Sequence, residues 1–154
     1  MKTPPLGTSL PVISEPIMRV QTGTHHDPFE VLGVHPQPDG GTLIRAFLPA
    51  AEAVDVAGGH MTRVTGTDCF EYRLPPGTVV EKHPLLRWQS KRTGEWHTAQ
   101  CPYSFEPQLG EMDLYLLGEG RHFQAWKVLG ARLKTIDGVA GCLFAVWAPA
   151  VQRV

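Results

Sequence analysis

Apolar and polar side chains alternate over short runs along much of the chain, and this period of two predicts β-strands. The clearest run is 69–74, in which Phe70, Tyr72 and Leu74 share one face and the polar residues between them share the other. We therefore expect Tyr72 to lie in the core. Glycine and proline residues separate this run from its neighbours. The whole pattern predicts strands at 42–48, 53–56, 61–64, 69–74, 85–89 and 96–98.

Strands this short and this regularly spaced predict the fold class: mainly β, an immunoglobulin-like antiparallel β-sandwich. Two short helices are expected beside it. In the first, Asp27 is the N-cap candidate, Pro28 fits the first helical position, Glu30 closes a capping box and Gly33 ends the helix. The second is predicted over 120–130, where apolar residues recur at near-helical spacing.

Two parts of the chain resemble each other in sequence and in order. Residues 41–54 align without gaps on 141–154, and the segment FEVLG at 29–33 matches WKVLG at 126–130. This pattern indicates one module used twice, of which the second copy has only its opening strands. We therefore expect the front part of a longer protein, in which residues 141–154 fray or pack as a lone strand on the first module.

These observations predict four parts of the chain. Residues 1–24, rich in proline, are expected to be a flexible leader, and residues 25–116 to form the N-terminal β-sandwich module. Residues 117–140 are expected to be a helical linker. Residues 141–154 are interpreted as the first strands of a truncated second module.

Composition excludes several classes of function. Fourteen Lys and Arg residues against fifteen Asp and Glu residues give a formal charge of −1, with no basic run, so we expect no nucleic-acid partner. No segment is long and apolar enough to span a membrane, and the N-terminal residues lack the apolar block of a signal peptide. The three cysteines are widely spaced, which favours reduced thiols and a cytoplasmic protein.

No motif in the sequence predicts a catalytic site, a cofactor or a metal. The histidines of the HHD run at 25–27 match no standard ligand spacing, and Asp27 already has a capping role. Trp96 is the candidate binding residue: it shares a face with polar side chains, and an exposed indole can stack on a sugar ring or contact a protein partner. Trp88 and Trp147 lie on apolar faces, where packing in the core or between modules is expected.

Four segments closely resemble the N-terminal region of bacterial glycogen (1,4-α-glucan) branching enzymes, from about residue 25 to the last residue. They are HHDPFEVLGVHP, RAFLPAAEAVDV, LYLLGEGRHFQAWKVLGA and TIDGVAGCLFAVWAPAVQRV. The resemblance implies two successive sandwich modules, the second of the carbohydrate-binding module family 48 type, followed by a (β/α)₈ barrel and a C-terminal β-domain. In that layout the second module opens at the F-x-V-W-A-P run, here residues 144–149.

The same resemblance implies the reaction of such enzymes, in which an α-1,4-linked glucan is cut and rejoined through an α-1,6 bond by a retaining mechanism. The nucleophile and acid/base of that family lie on the barrel, and no residue of this chain matches their motifs. We therefore expect a non-catalytic module that supports the barrel and positions glucan in glycogen biosynthesis, with α-glucan and the remaining domains as partners. The alternative is a stand-alone β-sandwich that binds protein partners and has no glucan-binding role.

Overall fold

The structure is a computed structural model, and it describes residues 13–150. The chain divides into two compact units, Met1–Ser104 and Phe105–Val154, each of which is described by itself. Among residues 13–150, no helix combines the length and the hydropathy needed to cross a membrane.

Eight strands lie in the described part of the first unit, residues 13–104. In chain order they are β1 (Gly33–Pro36), β2 (Thr42–Phe47), β3 (Ala51–Val56), β4 (Gly59–His60), β5 (Thr62–Arg63), β6 (Cys69–Leu74), β7 (Leu85–Ser90) and β8 (Trp96–Gln100). They form two four-stranded sheets, with the orders β1-β2-β6-β5 and β4-β3-β7-β8, and every described pairing is antiparallel. The predicted mainly-β sandwich is confirmed.

The predicted strands all have counterparts, and the bounds of β6 match the predicted 69–74. Two strands of the first unit were not predicted. β1 has only four residues and pairs with β2 from Gly33 opposite Arg45 to Pro36 opposite Thr42. β4 has two residues at a position where glycines predicted only a turn.

The main core lies between the two sheets. Ile44 and Val54, one from each sheet, have no exposed surface, and Phe70 is 2% exposed. Burying side chains of this size contributes about 1.5–3 kcal/mol each. Tyr72 and Trp88 pack against this cluster as half-buried residues. The predicted core position of Tyr72 is confirmed, and Trp88 lies in the core, one of the two environments predicted for it.

The two sheets are in close contact at Gly59. A Cβ atom placed on Gly59 would overlap the phenol ring of Tyr72, which reaches it from the opposite sheet. A side chain at this position would displace either the Tyr72 ring or the β3–β4 hairpin, which favours glycine.

A second apolar cluster lies on the outer side of β6, under the helix α1 (Glu15–Thr22). Ile17 and Val20 of the helix are 5% and 7% exposed, and Cys69 beneath them has no exposed surface. Residues 15–22 were predicted to be part of a flexible leader, and this prediction is wrong. The apolar stripe of α1 covers the face of β6 on which the alternation placed the polar residues. Residues 1–12 of the predicted leader lie outside the described residues.

Hydrogen bonds fix α1 to Asp68, the residue before β6. The backbone N–H of Asp68 donates to Gln21 Oε1 at 2.7 Å, and Gln21 Nε2 donates to the Asp68 carboxylate at 3.3 Å. The same carboxylate accepts bonds from Arg63 and Lys91. Asp68 therefore joins α1, β5 and the turn between β7 and β8.

The predicted first helix is a single 3₁₀ turn, Pro28–Glu30, and the Asp27 side chain accepts a bond from the Phe29 N–H as predicted for an N-cap. Gly33 has a different role from the one predicted. Its φ is +102°, and a Cβ there would collide with the carbonyl of Tyr103, so glycine starts β1 where another segment passes close by.

The second unit contains the helix α2 (Glu111–Gly118), a 3₁₀ turn at Ala125–Lys127, and the strands β9 (Gly130–Ile136) and β10 (Val139–Ala145). The two strands form an antiparallel hairpin. Asp137 and Gly138 at its turn both have positive φ, 50° and 82°. That geometry is the type I′ turn for which Asp-Gly is a preferred pair.

Two predictions for the second unit are wrong. Residues 120–130 do not form a two-turn helix, and residues 130–136 of the expected helical linker are a strand. An amphipathic pattern forms a helix when its apolar face is buried, but Phe123 and Trp126 are 92% and 73% exposed. Residues 141–145 pair with β9 instead of fraying or lying alone, while 151–154 lie outside the described residues.

The repeat found in the sequence has the same geometry in both units. Each copy has a 3₁₀ turn followed, three residues later, by a glycine with positive φ that opens a strand: Gly33 at 102° and Gly130 at 88°. Gly33 lies opposite Arg45, and Gly130 lies opposite Ala145. Arg45 and Ala145 are also aligned in the repeat, so the two hairpins share one register.

Candidate functional site

The candidate site is the outer face of the sheet β4-β3-β7-β8, on which Trp96 lies. Trp96 is 42% exposed, as predicted for a residue on a solvated face. Its cross-strand neighbour is Gln89, and the Arg87 guanidinium lies 4.3 Å from the centre of the indole ring. This cation–π contact holds the ring in place and leaves an aromatic plate at the sheet surface.

A row of polar side chains crosses all four strands next to Trp96. His60 lies opposite Asp55, Asp55 opposite Arg87, and Arg87 opposite Thr98. His60 Nδ1 and Asp55 Oδ1 are 2.8 Å apart. Neighbouring strands lie about 4.8 Å apart, so the row extends about 14 Å from β8 to β4.

An open groove of about 760 Å³ continues this face at the β3–β4 hairpin. Its polar lining comes from Asp55, His60, Glu81 and Arg87, and its apolar lining includes Leu85. Because Arg87 both lines the groove and contacts the indole of Trp96, the two features form one surface. We call the groove with Trp96 the outer-face surface.

The strand that carries Trp96 lies at the edge of its sheet. Trp96, His97, Thr98 and Ala99 are all exposed, so both faces of β8 are open over most of its length. His97 lies against Trp88, with ring centres 5.6 Å apart. The strand β8 is therefore exposed on both faces and along its outer edge.

The titratable groups whose pKa values are shifted lie in structural contacts. Burial raises the pKa of Asp68, but the bonds from Gln21 and Lys91 and the charges of Lys91 and Arg63 outweigh it and lower the pKa overall. Burial raises the pKa of the Cys69 and Cys101 thiols, which keeps them protonated and unreactive. These side chains stabilise the sandwich.

The histidines at 25 and 26 do not gather further ligands. Their rings stack with centres 5.3 Å apart, and His25 Nδ1 accepts the backbone N–H of Asp27. Within residues 13–150, no group of three or more His, Cys, Asp or Glu side chains is arranged to hold a metal ion.

Trp96 was the site residue identified from the sequence, whereas Arg87, Asp55, His60 and Glu81 were missed. The period of two in β7 carried a usable signal, because Arg87 and Gln89 alternate with core residues and must face outward. The order of the strands in the sheet decides which side chains become neighbours, and the periodicity within one strand does not specify that order.

The fold and this surface define a class: a small antiparallel β-sandwich module with one open aromatic and polar face. Comparison with known proteins gives the family. The model for the N-terminal domain of the alpha-1,4-glucan branching enzyme GlgB matches residues 14–103, and the chain belongs to this family. The matched segment begins just before α1 and ends at the close of the first unit.

Individual relatives agree with the family. The chain is 75% identical over 141 residues to a 1,4-alpha-glucan branching enzyme GlgB of Thiobacillus denitrificans, a match that covers 92% of this chain and 19% of the relative. It is 45% identical over 149 residues to the enzyme of the same name from Methylococcus capsulatus, covering 96% of this chain and 20% of the relative. The chain thus spans about a fifth of the length of these curated relatives.

Proposed function

We propose that this chain is the N-terminal part of a 1,4-α-glucan branching enzyme of glycogen biosynthesis, and that its first unit is a non-catalytic module that contacts the glucan. The family match and the names of the relatives support the enzymatic context. Contact with glucan rests on one observation, the exposed indole of Trp96 braced by Arg87. A rigid aromatic plate beside polar side chains suits the apolar face and the hydroxyl groups of a sugar ring.

The role of such a contact is to hold a long glucan chain near the enzyme while an α-1,4 segment is transferred to an α-1,6 position. A weak surface contact suffices for this purpose, because the tethered chain then reacts at a raised effective concentration.

Reduced, buried thiols at Cys69 and Cys101 support a cytoplasmic location.

Electrophoresis of the 154-residue chain in native gels with and without glycogen tests the glucan contact. We expect glycogen to retard the wild-type chain, and Trp96→Ala to remove most of the retardation. Tyr115→Ala is the matched control, since Tyr115 is an exposed aromatic residue on α2. Equal retardation of the wild type and Trp96→Ala would overturn the proposed contact.

The second unit is proposed to open a second sandwich module. Its hairpin repeats the register of β1 and β2, yet the residues that correspond to core positions are exposed. Phe144, aligned with Ile44, is 74% exposed against 0%, and Val146, aligned with Ala46, is 63% exposed against 2%. Further strands of the same protein would cover this face, the first of them beside β10 as β6 lies beside β2.

Hydrogen exchange on the full-length enzyme tests this arrangement. We expect the amides of β10 that are not bonded to β9 to exchange slowly there and rapidly in the 154-residue chain. Rapid exchange of the same amides in both proteins would show that no strand is added at this edge.

The open edge of β8 favours a second candidate function, binding of a protein segment that adds a strand to the sheet. The β8 sequence WHTAQ contains none of the Lys, Asp or Glu residues that usually protect an edge. Absence of any retardation by glycogen would favour this candidate over glucan binding.

A further inference from the structure

We infer that the groove beside Trp96 is a second subsite for the same glucan chain, so that the ligand runs across the strands from β8 towards β4. This inference rests on the proposed function, because it assigns one sugar ring to Trp96 and the following rings to the groove. The residues that it adds to the site are Asp55, His60, Glu81 and Arg87.

The groove and the indole are parts of one surface because Arg87 belongs to both. Its guanidinium covers one face of the Trp96 ring at 4.3 Å, and its side chain also lines the groove. A sugar ring therefore stacks on the ring face that Arg87 leaves open. The next rings of a linear chain then extend along the row Arg87, Asp55, His60, about 10 Å long for two strand spacings.

The charges of the groove suit a neutral ligand that is rich in hydroxyl groups. Its lining carries two carboxylates, Asp55 and Glu81, one guanidinium and one imidazole, so charges of both signs alternate over a short distance. A strongly anionic or cationic ligand would meet repulsion from one of them. Carboxylate and guanidinium groups are planar and bidentate, which allows each to bridge two adjacent hydroxyls.

The polar side chains of the groove have donors and acceptors that are available to a ligand. Among residues 13–150, the side chains of Arg87 and Glu81 form no hydrogen bond or ion pair, and the Asp55 side chain is bonded only to His60. The apolar lining of the groove, which includes Val79 at 95% exposure and Leu85 at 49%, provides contacts for the C–H faces of sugar rings. Both features are typical of sites that orient a polar ligand over an apolar floor.

Binding of linear maltooligosaccharides of different lengths to the 154-residue chain tests the inference. Maltotriose is the short probe, which mainly engages Trp96, and maltoheptaose is the long probe, which reaches the groove. Affinities are measured by calorimetry for the wild type, Asp55→Asn, Glu81→Gln and Trp96→Ala. Glu95→Gln is the matched control, because Glu95 is exposed in the turn before β8 and does not line the groove.

We expect maltoheptaose to bind the wild type about ten-fold or more tightly than maltotriose, since a few additional hydrogen bonds to charged groups contribute that much. Asp55→Asn and Glu81→Gln each reduce this advantage several-fold and leave maltotriose binding unchanged, and Glu95→Gln changes neither. In heteronuclear NMR spectra, the amides of Asp55 and His60 shift with maltoheptaose and not with maltotriose.

Failure of this inference differs from failure of the proposed function. If Trp96→Ala weakens both probes while the groove variants bind both like the wild type, the groove is not a subsite and the Trp96 contact stands. If Trp96→Ala has no effect on either probe, the glucan contact itself is wrong, and the inference fails with it.

Discussion

Docking of α1 against β6 is the feature of the fold that can be tested most sharply. Ile17 is 5% exposed and packs with Val31, Leu32 and Cys69, whereas Met18, the next residue along the helix, is 40% exposed. Ile17→Ala removes buried methyl and methylene groups and leaves a cavity. Substitutions of this kind lower the free energy of unfolding by about 2–5 kcal/mol, and we expect the lower half of this range for a site near the surface.

The matched control is Met18→Ala, which truncates an exposed side chain in the same helix turn. It should change the free energy of unfolding by less than about 0.5 kcal/mol, as is usual for surface substitutions. Urea unfolding followed by circular dichroism measures both variants. With an m-value of about 2 kcal/mol/M, Ile17→Ala should lower the midpoint by about 1–2 M.

Hydrogen exchange at one amide provides an independent check on the same contact. The Asp68 N–H donates to Gln21 of the helix at 2.7 Å, so Ile17→Ala should increase its exchange rate if the helix undocks. Equal unfolding midpoints for Ile17→Ala and Met18→Ala, with unchanged exchange at Asp68, would refute the docking of α1.

Three further predictions concern the charge, packing and thiols of the described units. The pKa of Asp68 is lowered in the folded state, so its carboxylate stabilises the fold above about pH 4. This contribution is lost as the pH falls through the lowered pKa. Asp68→Asn should therefore lower the free energy of unfolding, measured with urea, by roughly 1–2 kcal/mol at pH 7 and by progressively less below pH 4. Gly59→Ala should lower the stability by about 1–3 kcal/mol because of the overlap with Tyr72, whereas Gly141→Ala, which meets open space, should not. A thiol reagent should modify Cys142 rapidly, but Cys69 and Cys101 only after unfolding. Burial protects these two thiols and raises the pKa of both. Rapid modification of all three cysteines in the folded chain would show that Cys69 and Cys101 are not buried.

Strand positions were predictable wherever one face of a strand meets the core and the other meets water. β6 is the clearest example, since Phe70 and Leu74 alternate with polar residues and its bounds are those predicted. The same alternation was misleading for Cys69, which belongs to a second buried cluster under α1. Periodicity within one strand cannot reveal that another segment covers its outer face.

Helix predictions failed where tertiary contacts decide between helix and other structure. Local signals were present for the short α1, which has Pro16 in its first turn and Gly23 with positive φ at its C-terminal end, but its stability comes from burial of Ile17 and Val20, which depends on the tertiary fold. Residues 120–130 have helical spacing of apolar side chains, yet Gly130 with its positive φ starts a strand. The Asp137-Gly138 turn was a local hairpin signal that the prediction overlooked.

The candidate site was predictable only in part for the same reason. Trp96 was identified because its own strand has polar neighbours on one face. Arg87 and Asp55 lie on other strands, and Glu81 lies in the segment before β7, so the sheet order brings them together. The repeat was the most informative long-range signal, since it anticipated the common register of the two hairpins.

The most direct test of the glucan contact is a maltoheptaose titration of the ¹⁵N-labelled chain, followed at the four indole N–H resonances. Four tryptophans give four signals, and Trp126 and Trp147 serve as exposed internal controls. We predict that the Trp96 signal shifts in a saturable manner while the signals of Trp126 and Trp147 stay in place. An unchanged Trp96 signal at high maltoheptaose concentration would contradict the account.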